Sequence, residues 1–197
     1  MVPFSVIYAN NLLDNKIHNK IGLEKLVLDV PVLAELPKLS KKDNKLILND
    51  DRSVMAESLR ILRTNLDYLI KTKTGQGKKN VVFITSSVSG EGKTFVSSNL
   101  AMILANTKRK VLLIGADIRN PKLYDFFKNV NEISKRNTKG EVGLTEYLYD
   151  DTLSPKDLVH EMLVHNNTID VVYSGKIPPN PAELLLSNRI KGLADNI

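Results

Sequence analysis

Cysteine is missing from the 197-residue chain. That excludes disulfides and thiolate metal sites, and it fits a reducing cytoplasm. No apolar run approaches the roughly 20 residues that a membrane-spanning helix needs. The opening MVPFSVIYANNLLDNK is too short and too polar to be the apolar core of a signal peptide. The sequence therefore reads as a soluble chain, which is compatible with its being a piece of something membrane-bound. Aromatic residues make up only 6 %, and no basic run is long enough to argue for nucleic acid as a partner. The formal charge of +6 reads either as a mildly basic solvated surface or as attraction to an anionic membrane or polymer. No internal repeat is present. What remains is ordinary for a globular protein: 42 % hydrophobic and 25 % charged residues, in a length that gives one domain with a sizeable core plus an appendage.

Residues 1–50 are uneven. Ile21 to Val30 can form a short helix, two prolines follow in DVPVLAELPKL, and KKDNK reads as a loop or linker. Asp51 to Lys71 has the apolar period of a helix, with Met55, Leu59, Leu62, Leu66, Leu69 and Ile70 within an arc of roughly 100°. Asp51 or Ser53 can cap it. After the glycines of TKTGQGKKN the pattern alternates. VVFIT, VLLIG and TIDVVYSG read as strands, the first two buried on both faces. Thr94 to Asn106, PKLYDFF, GLTEYLYD, SPKDLVHEML and NPAELLLSNRIKGLADN read as helices. Strand and helix in alternation imply parallel strands with right-handed crossovers, hence a doubly wound, mostly parallel α/β sheet between two helical layers.

The stretch SSVSGEGKTF, Ser86 to Phe95, lies between the first strand and a helix. It follows G-x-x-x-x-G-K-[ST] except that Ser87 stands at the first glycine, a position that mainly needs a small residue. In such a loop, backbone N–H groups of Ser89, Gly90, Glu91, Gly92, Lys93, Thr94 and Phe95 converge on phosphate oxygens at a helix mouth whose dipole favours anions. Gly90 and Gly92 allow the close approach. Lys93 supplies a point charge for the outer phosphates, and Thr94 offers a hydroxyl to magnesium. Asp117 falls just past the second strand in VLLIGADIRNPKL, at the edge where ligands gather in such sheets. It reads either as a magnesium ligand or as a helix cap. Arg119 reads as a phosphate or subunit contact, or as a surface charge.

Together these residues resemble the bacterial tyrosine kinases that regulate capsule and exopolysaccharide synthesis, P-loop proteins of the deviant Walker A group related to the MinD and ParA ATPases. SSVSGEGKTFVSSNLA looks like their Walker A loop and helix, and VLLIGADIRNPKL like their Walker A′ motif. ESLRILRTNL matches E-x-x-R-x-x-R through Glu57, Arg60 and Arg63, and IPPNPAELL resembles a segment after the third strand. Residues 1–50 resemble the juxtamembrane linker of fused forms, and residues 51–197 the first part of the kinase domain.

The resemblance implies a P-loop three-layer αβα fold and ATP-dependent tyrosine autophosphorylation with ATP and magnesium as cofactors. Lys93 and Asp117 would be the catalytic residues, with Thr94 and Asp117 on the metal. It also implies a homo-oligomeric ring through Glu57, Arg60 and Arg63, at the cytoplasmic face of the inner membrane. A polysaccharide co-polymerase membrane domain and a cognate tyrosine phosphatase are the implied partners. With Glu57 at 0°, the apolar stripe centres near roughly 170°, and Arg60 and Arg63 sit near roughly 300° and 240°. Glu57 and Arg60 therefore face away from the core, where they serve an interface or an i,i+3 ion pair.

Two departures stand out. Gly115 occupies the place of the family's first Walker A′ aspartate. The Walker B strand and the tyrosine-rich tail are not found before Ile197, and the six tyrosines (Tyr8, Tyr68, Tyr124, Tyr147, Tyr149, Tyr173) are scattered. The chain is therefore expected to be a truncated piece of a longer kinase, of low stability and with weak or no kinase activity of its own. Two alternatives stand beside the kinase. One is a MinD/ParA-type ATPase, against which Val88 replaces a signature lysine; the other is a non-catalytic, nucleotide-gated scaffold.

Overall fold

The computed structural model of the chain describes residues 4–13, 17, 19–39, 46–48, 50–74, 80–128, 142–164 and 167–196. The KKDNK segment, most of the TKTGQGKKN break and the tail of the stretch after PKLYDFF lie outside them. The elements in chain order are α1 (Phe4–Leu13), α2 (Lys20–Leu26), α3 (Val54–Thr74), α4 (Lys93–Ala105), β1 (Leu112–Ile114), α5 (Leu123–Lys128), α6 (Leu144–Tyr149), a 3₁₀ turn at Pro155–Leu158, β2 (His160–Val164), β3 (Asn167–Val172), α7 (Pro181–Leu185) and α8 (Arg189–Asn196). Among the described residues no helix is long and apolar enough to cross a membrane.

The sheet order is β1-β3-β2. β1 and β3 are parallel, with Leu113 opposite Val171, and β2 and β3 form an antiparallel hairpin, with Met162 opposite Ile169. Alternation along each strand sends side chains to two faces. Ile169 and Val171 of β3 join Met162 and Val164 of β2, Met102 and Ala105 of α4, and Leu123 and Phe127 of α5 in one buried cluster. Val172 faces the other way, into a cluster with Leu144, Tyr147 and Leu148 of α6, Leu184 of α7 and Leu193 of α8. A third layer of contacts places α3 on the outside of α4 through Met55, Ala56, Leu59, Phe95 and Ile103. The result is helix, sheet, helix, the layering expected of a doubly wound fold.

Local chemistry explains several boundaries. Ser53 is the residue that caps α3, its Oγ accepting from Ala56 N at 3.2 Å, while Asp51 Oδ1 accepts from Ser53 N at 2.7 Å. α2 starts at an asparagine cap, Asn19, whose side chain accepts from Gly22 N. It ends at Leu26, before the predicted Val30. Asn99, fully buried in α4, accepts from Ile47 N at 2.7 Å and donates to Phe95 O at 2.9 Å, which ties the segment before α3 to the phosphate-loop helix. Arg109 grips Asp67 of α3 with both nitrogens, at 2.6 and 3.0 Å.

Three sequence expectations are corrected. Val81 to Thr85 joins no ladder of the described sheet; Val81 and Phe83 are 68 % and 91 % exposed. An apolar β-branched run states a preference for a buried strand, but a strand exists only where a partner backbone lies beside it. SPKDLVHEML is not a helix. Its first half is the 3₁₀ turn, and His160 onward pairs with β3, burying Met162 and Val164 while Glu161 and Leu163 face out. That antiparallel hairpin gives the described three-stranded sheet one antiparallel pair beside the parallel pair of β1 and β3. Finally, NPAELLLSNRIKGLADN is two helices, broken at residues 186–188, where Ser187 N bonds back to Leu184 O.

Candidate functional site

The phosphate loop is shaped by two glycines. Gly90 and Gly92 have φ of +91° and +95°, a region costly for any residue with a Cβ. A Cβ built at either would meet nothing within 4 Å, so the space above the loop is open. Gly92 is the N-cap of α4, and no side chain caps that end. The helix begins with Val96 N bonding to Gly92 O at 2.9 Å. The first-turn amides of a 13-residue helix are thus left without a side-chain acceptor, the arrangement an anion fits. Phe95 turns its ring inward, edge-on to Phe126, and pins the first turn of α4 against the core. Only its backbone amide is left for a ligand.

Lys93 is half-buried and donates from Nζ to Ser86 Oγ at 3.0 Å, and Ser86 Oγ donates to Val88 O at 2.8 Å. The lysine is therefore held back over its own loop. Ser86 is a residue that motif spacing alone passes over; its signal was a hydroxyl seven residues before the lysine, at the strand-to-loop junction. Ser89 and Glu91 are exposed, and Thr94 is half-buried at the helix mouth.

Asp117 and Arg119 both project outward, because the residue between them, Ile118, is 1 % exposed and anchored in the second core cluster. One carboxylate oxygen of Asp117 accepts from Asn120 N at 3.0 Å. The local turn uses one oxygen, so capping and cation binding are compatible roles. α4 returns through residues 106–111 directly into β1 and packs on β1 and β3. The mouth of α4 and Asp117 consequently lie at the same edge of the sheet, beyond the carboxyl ends of β1 and β3.

At that edge the structure adds residues the sequence reading missed. Ser174, 3 % exposed, donates from Oγ to Gly115 O at 2.7 Å. Its own carbonyl accepts from Thr145 Oγ1 at 2.8 Å and Thr145 N at 3.0 Å. Glu146 accepts from Gly143 N at 2.9 Å and Lys176 N at 3.1 Å. The signal for Ser174 and Lys176 was position, two and four residues past β3, whereas Thr145 and Glu146 stand in the first turn of α6. A Cβ at Gly115 would stand 3.0 Å from Ser174 Oγ and 3.1 Å from Leu123 Cδ2. A side chain at this position would press on Ser174 and Leu123, which would have to yield by a few tenths of an ångström.

Glu57 and Arg60 form an i,i+3 ion pair on α3, and Arg60 also donates to Asp51 O at 2.7 Å. Glu57 faces solvent, Arg60 is 28 % exposed in its side chain, and Arg63 is half-buried with an Nε that has no hydrogen-bond partner. The three sit on α3, whose neighbouring Met55, Ala56 and Leu59 pack with Phe95 at the start of α4.

The residues at the loop fit a nucleotide phosphate: open space over Gly90 and Gly92, uncapped helix amides and a lysine at the mouth. For magnesium the donors available are the Thr94 hydroxyl and the free oxygen of Asp117. Among the described residues no three acidic or histidine side chains gather into a metal cage.

Comparison with known proteins agrees with this geometry. The model of the CobQ/CobB/MinD/ParA nucleotide binding domain matches residues 82–193. The chain is 36 % identical over 152 residues to the tyrosine-protein kinase YwqD of Bacillus subtilis, covering 77 % of this chain and 57 % of that protein. It is 35 % identical over 141 residues to the tyrosine-protein kinase etk of Escherichia coli, covering 71 % of this chain and 17 % of that protein. The chain thus spans under two thirds of the length of these relatives. Among solved structures, the kinase domain of the Escherichia coli tyrosine kinase ETK superposes with a TM-score of 0.71 at 28 % identity, covering 91 % of this chain and 69 % of that one. The BceF tyrosine kinase domain superposes with a TM-score of 0.69 at 28 % identity, covering 91 % and 72 %.

Proposed function

We propose that this chain, which belongs to the CobQ/CobB/MinD/ParA nucleotide-binding domain family, is the nucleotide-binding core of an ATP-dependent protein-tyrosine autokinase that regulates capsular or exopolysaccharide synthesis and export. The observation that carries the reading is the uncapped mouth of α4 beneath the left-handed Gly90 and Gly92, with Lys93 beside it. The kinase assignment leans on relatives named as tyrosine-protein kinases.

In this reading, the amides of Ser89 to Phe95 hold the inner phosphates, and Lys93 leaves Ser86 to meet the outer ones. Thr94 and Asp117 hold magnesium, which when bound neutralises charge on the transferring phosphoryl group. The chain's own contribution is positioning and charge stabilisation at the sheet edge, with Arg119 able to swing toward the same opening. Glu57, Arg60 and Arg63 assemble a ring of copies, for which Arg60 exchanges its bonds to Glu57 and Asp51 for a neighbour. The assembly works at the cytoplasmic face of the membrane with a polysaccharide co-polymerase and is reset by a tyrosine phosphatase.

The decisive experiment is calorimetric titration with MgATP, followed by mass-spectrometric mapping of phosphotyrosine after incubation. MgATP binding that Lys93→Met abolishes, together with Lys93-dependent phosphotyrosine, is the expected result. A chain that binds no nucleotide overturns the reading. Nucleotide binding without any phosphotyrosine favours a second reading, a nucleotide-gated scaffold, which the crowded Gly115 position supports. Hydrolysis stimulated by lipid vesicles without phosphotyrosine would instead make it a MinD/ParA-like ATPase.

A further inference from the structure

The loop carries one acidic residue, and that residue is not idle. The same oxygen of Glu91, Oε2, accepts from Ser87 N at 2.9 Å and from Val88 N at 3.3 Å. Glu91 sits between the two left-handed glycines, so the chain turns sharply on both sides of it and returns its side chain to residues three and four positions earlier. Around it, Ser87, Val88, Ser89 and Gly90 are all exposed, and no core side chain holds this part of the loop.

We propose that Glu91 is a positioning residue of the nucleotide site: its carboxylate braces the strand side of the loop and leaves the helix side free for phosphate. The inference rests on the nucleotide-binding reading above. The two donors it satisfies, Ser87 N and Val88 N, precede the bend, whereas the uncapped amides lie at the start of α4, beyond Gly92. The brace therefore does not occupy the helix mouth. It also falls at Ser87, where the motif's first glycine is missing and the backbone depends on its side-chain partners to hold the turn. Charge and geometry act in opposite directions here. A carboxylate near phosphates repels them, while the two hydrogen bonds pre-shape the loop and lower the ordering cost of binding. A neutral side chain with an oxygen in the same place keeps the benefit and sheds the cost.

The test compares the chain with Glu91→Gln and Glu91→Ala, by titration with MgATP and by hydrogen exchange at the Ser87 and Val88 amides without nucleotide. Glu91→Gln is expected to bind at least as tightly as the parent and to retain amide protection. Glu91→Ala is expected to bind about fivefold more weakly, the worth of one net hydrogen bond, with both amides exchanging faster. An alanine variant that binds as tightly as the parent or tighter overturns the proposal, since the carboxylate would then be a competitor of phosphate or a bystander. A glutamine variant as weak as alanine overturns it too. A parent chain that binds no nucleotide defeats the nucleotide reading alone, and unchanged amide protection in Glu91→Ala defeats the brace alone.

Discussion

The Cβ that Gly115 lacks would stand 3.0 Å from the hydroxyl oxygen of Ser174, and that hydroxyl donates to the Gly115 carbonyl at 2.7 Å. The two residues are fitted to each other. Gly115→Ala should cost about 1–2 kcal/mol through overpacking, and Ser174→Ala about 1 kcal/mol through the lost hydrogen bond. In the double variant the alanine at 115 no longer meets a hydroxyl, so the combined cost falls short of the sum. Urea unfolding of the four proteins measures this directly. Strict additivity would mean that the pair is not coupled.

Arg189 joins α8 to the end of α6. Its guanidinium donates to Tyr147 O at 2.8 Å, Asp150 O at 3.0 Å and Leu153 O at 2.9 Å, pairs with Asp151, and lies 4.1 Å from the centre of the Tyr147 ring. A planar five-donor fork can do this and an ammonium cannot. Arg189→Lys is therefore expected to lose about 1–3 kcal/mol on denaturant unfolding. Asp151→Ala, at a side chain 90 % exposed, should lose under about 0.5 kcal/mol. Equal losses would show that the ion pair, and not the carbonyl contacts, sets the effect.

Asn99 is the peg that holds the segment before α3 to α4. Asn99→Leu leaves the Ile47 amide buried without its acceptor, a cost of about 1–3 kcal/mol. Limited proteolysis should then cut the chain near residues 46–48 faster than in the parent. Unchanged cleavage would place the anchoring of this segment in Leu46 and Ile47 themselves.

Asp157 accepts from Ser154 Oγ at 2.7 Å and Ser154 N at 2.8 Å, and the side-chain bond, then the backbone bond, hold its carboxyl below the ordinary aspartate range. A depressed folded-state value means that the contribution to stability is present above the unfolded-state value and lost as pH falls through the folded one. Carboxyl NMR titration should find Asp157 titrating low in the parent and shifted part of the way up in Ser154→Ala, because the backbone N–H of residue 154 still donates to it. The same experiment should find Asp150 depressed through Thr152 and unaffected by that substitution.

What the sequence disclosed, it disclosed through local chemistry. β1, β3 and α4 follow from apolar runs and a helical period, and the phosphate loop from glycines at fixed offsets. The 3₁₀ turn and β2 were merged into one helix because HEMLV is too short for its alternation to outweigh the polar turn before it. Gly115 looked like a missing carboxylate because its reason, Ser174, lies 59 residues away in the chain. Glu91 read only as one more loop amide for phosphate, because the backbone donors its carboxylate meets, Ser87 N and Val88 N, leave no mark in sequence. Periodicity reports which faces want burial; it does not report which neighbour arrives.

That last limit has a practical side in Val81 to Thr85. An apolar, β-branched run with no pairing partner among the described residues, with Phe83 91 % exposed, offers its backbone to any other strand it meets. At low ionic strength the formal charge of +6 keeps molecules apart. At about 1 M salt that repulsion reaches only about 3 Å. The colloidal behaviour of the protein is thus written in five residues: turbidity should rise with salt and concentration, and a charged residue in place of Phe83 should clear it.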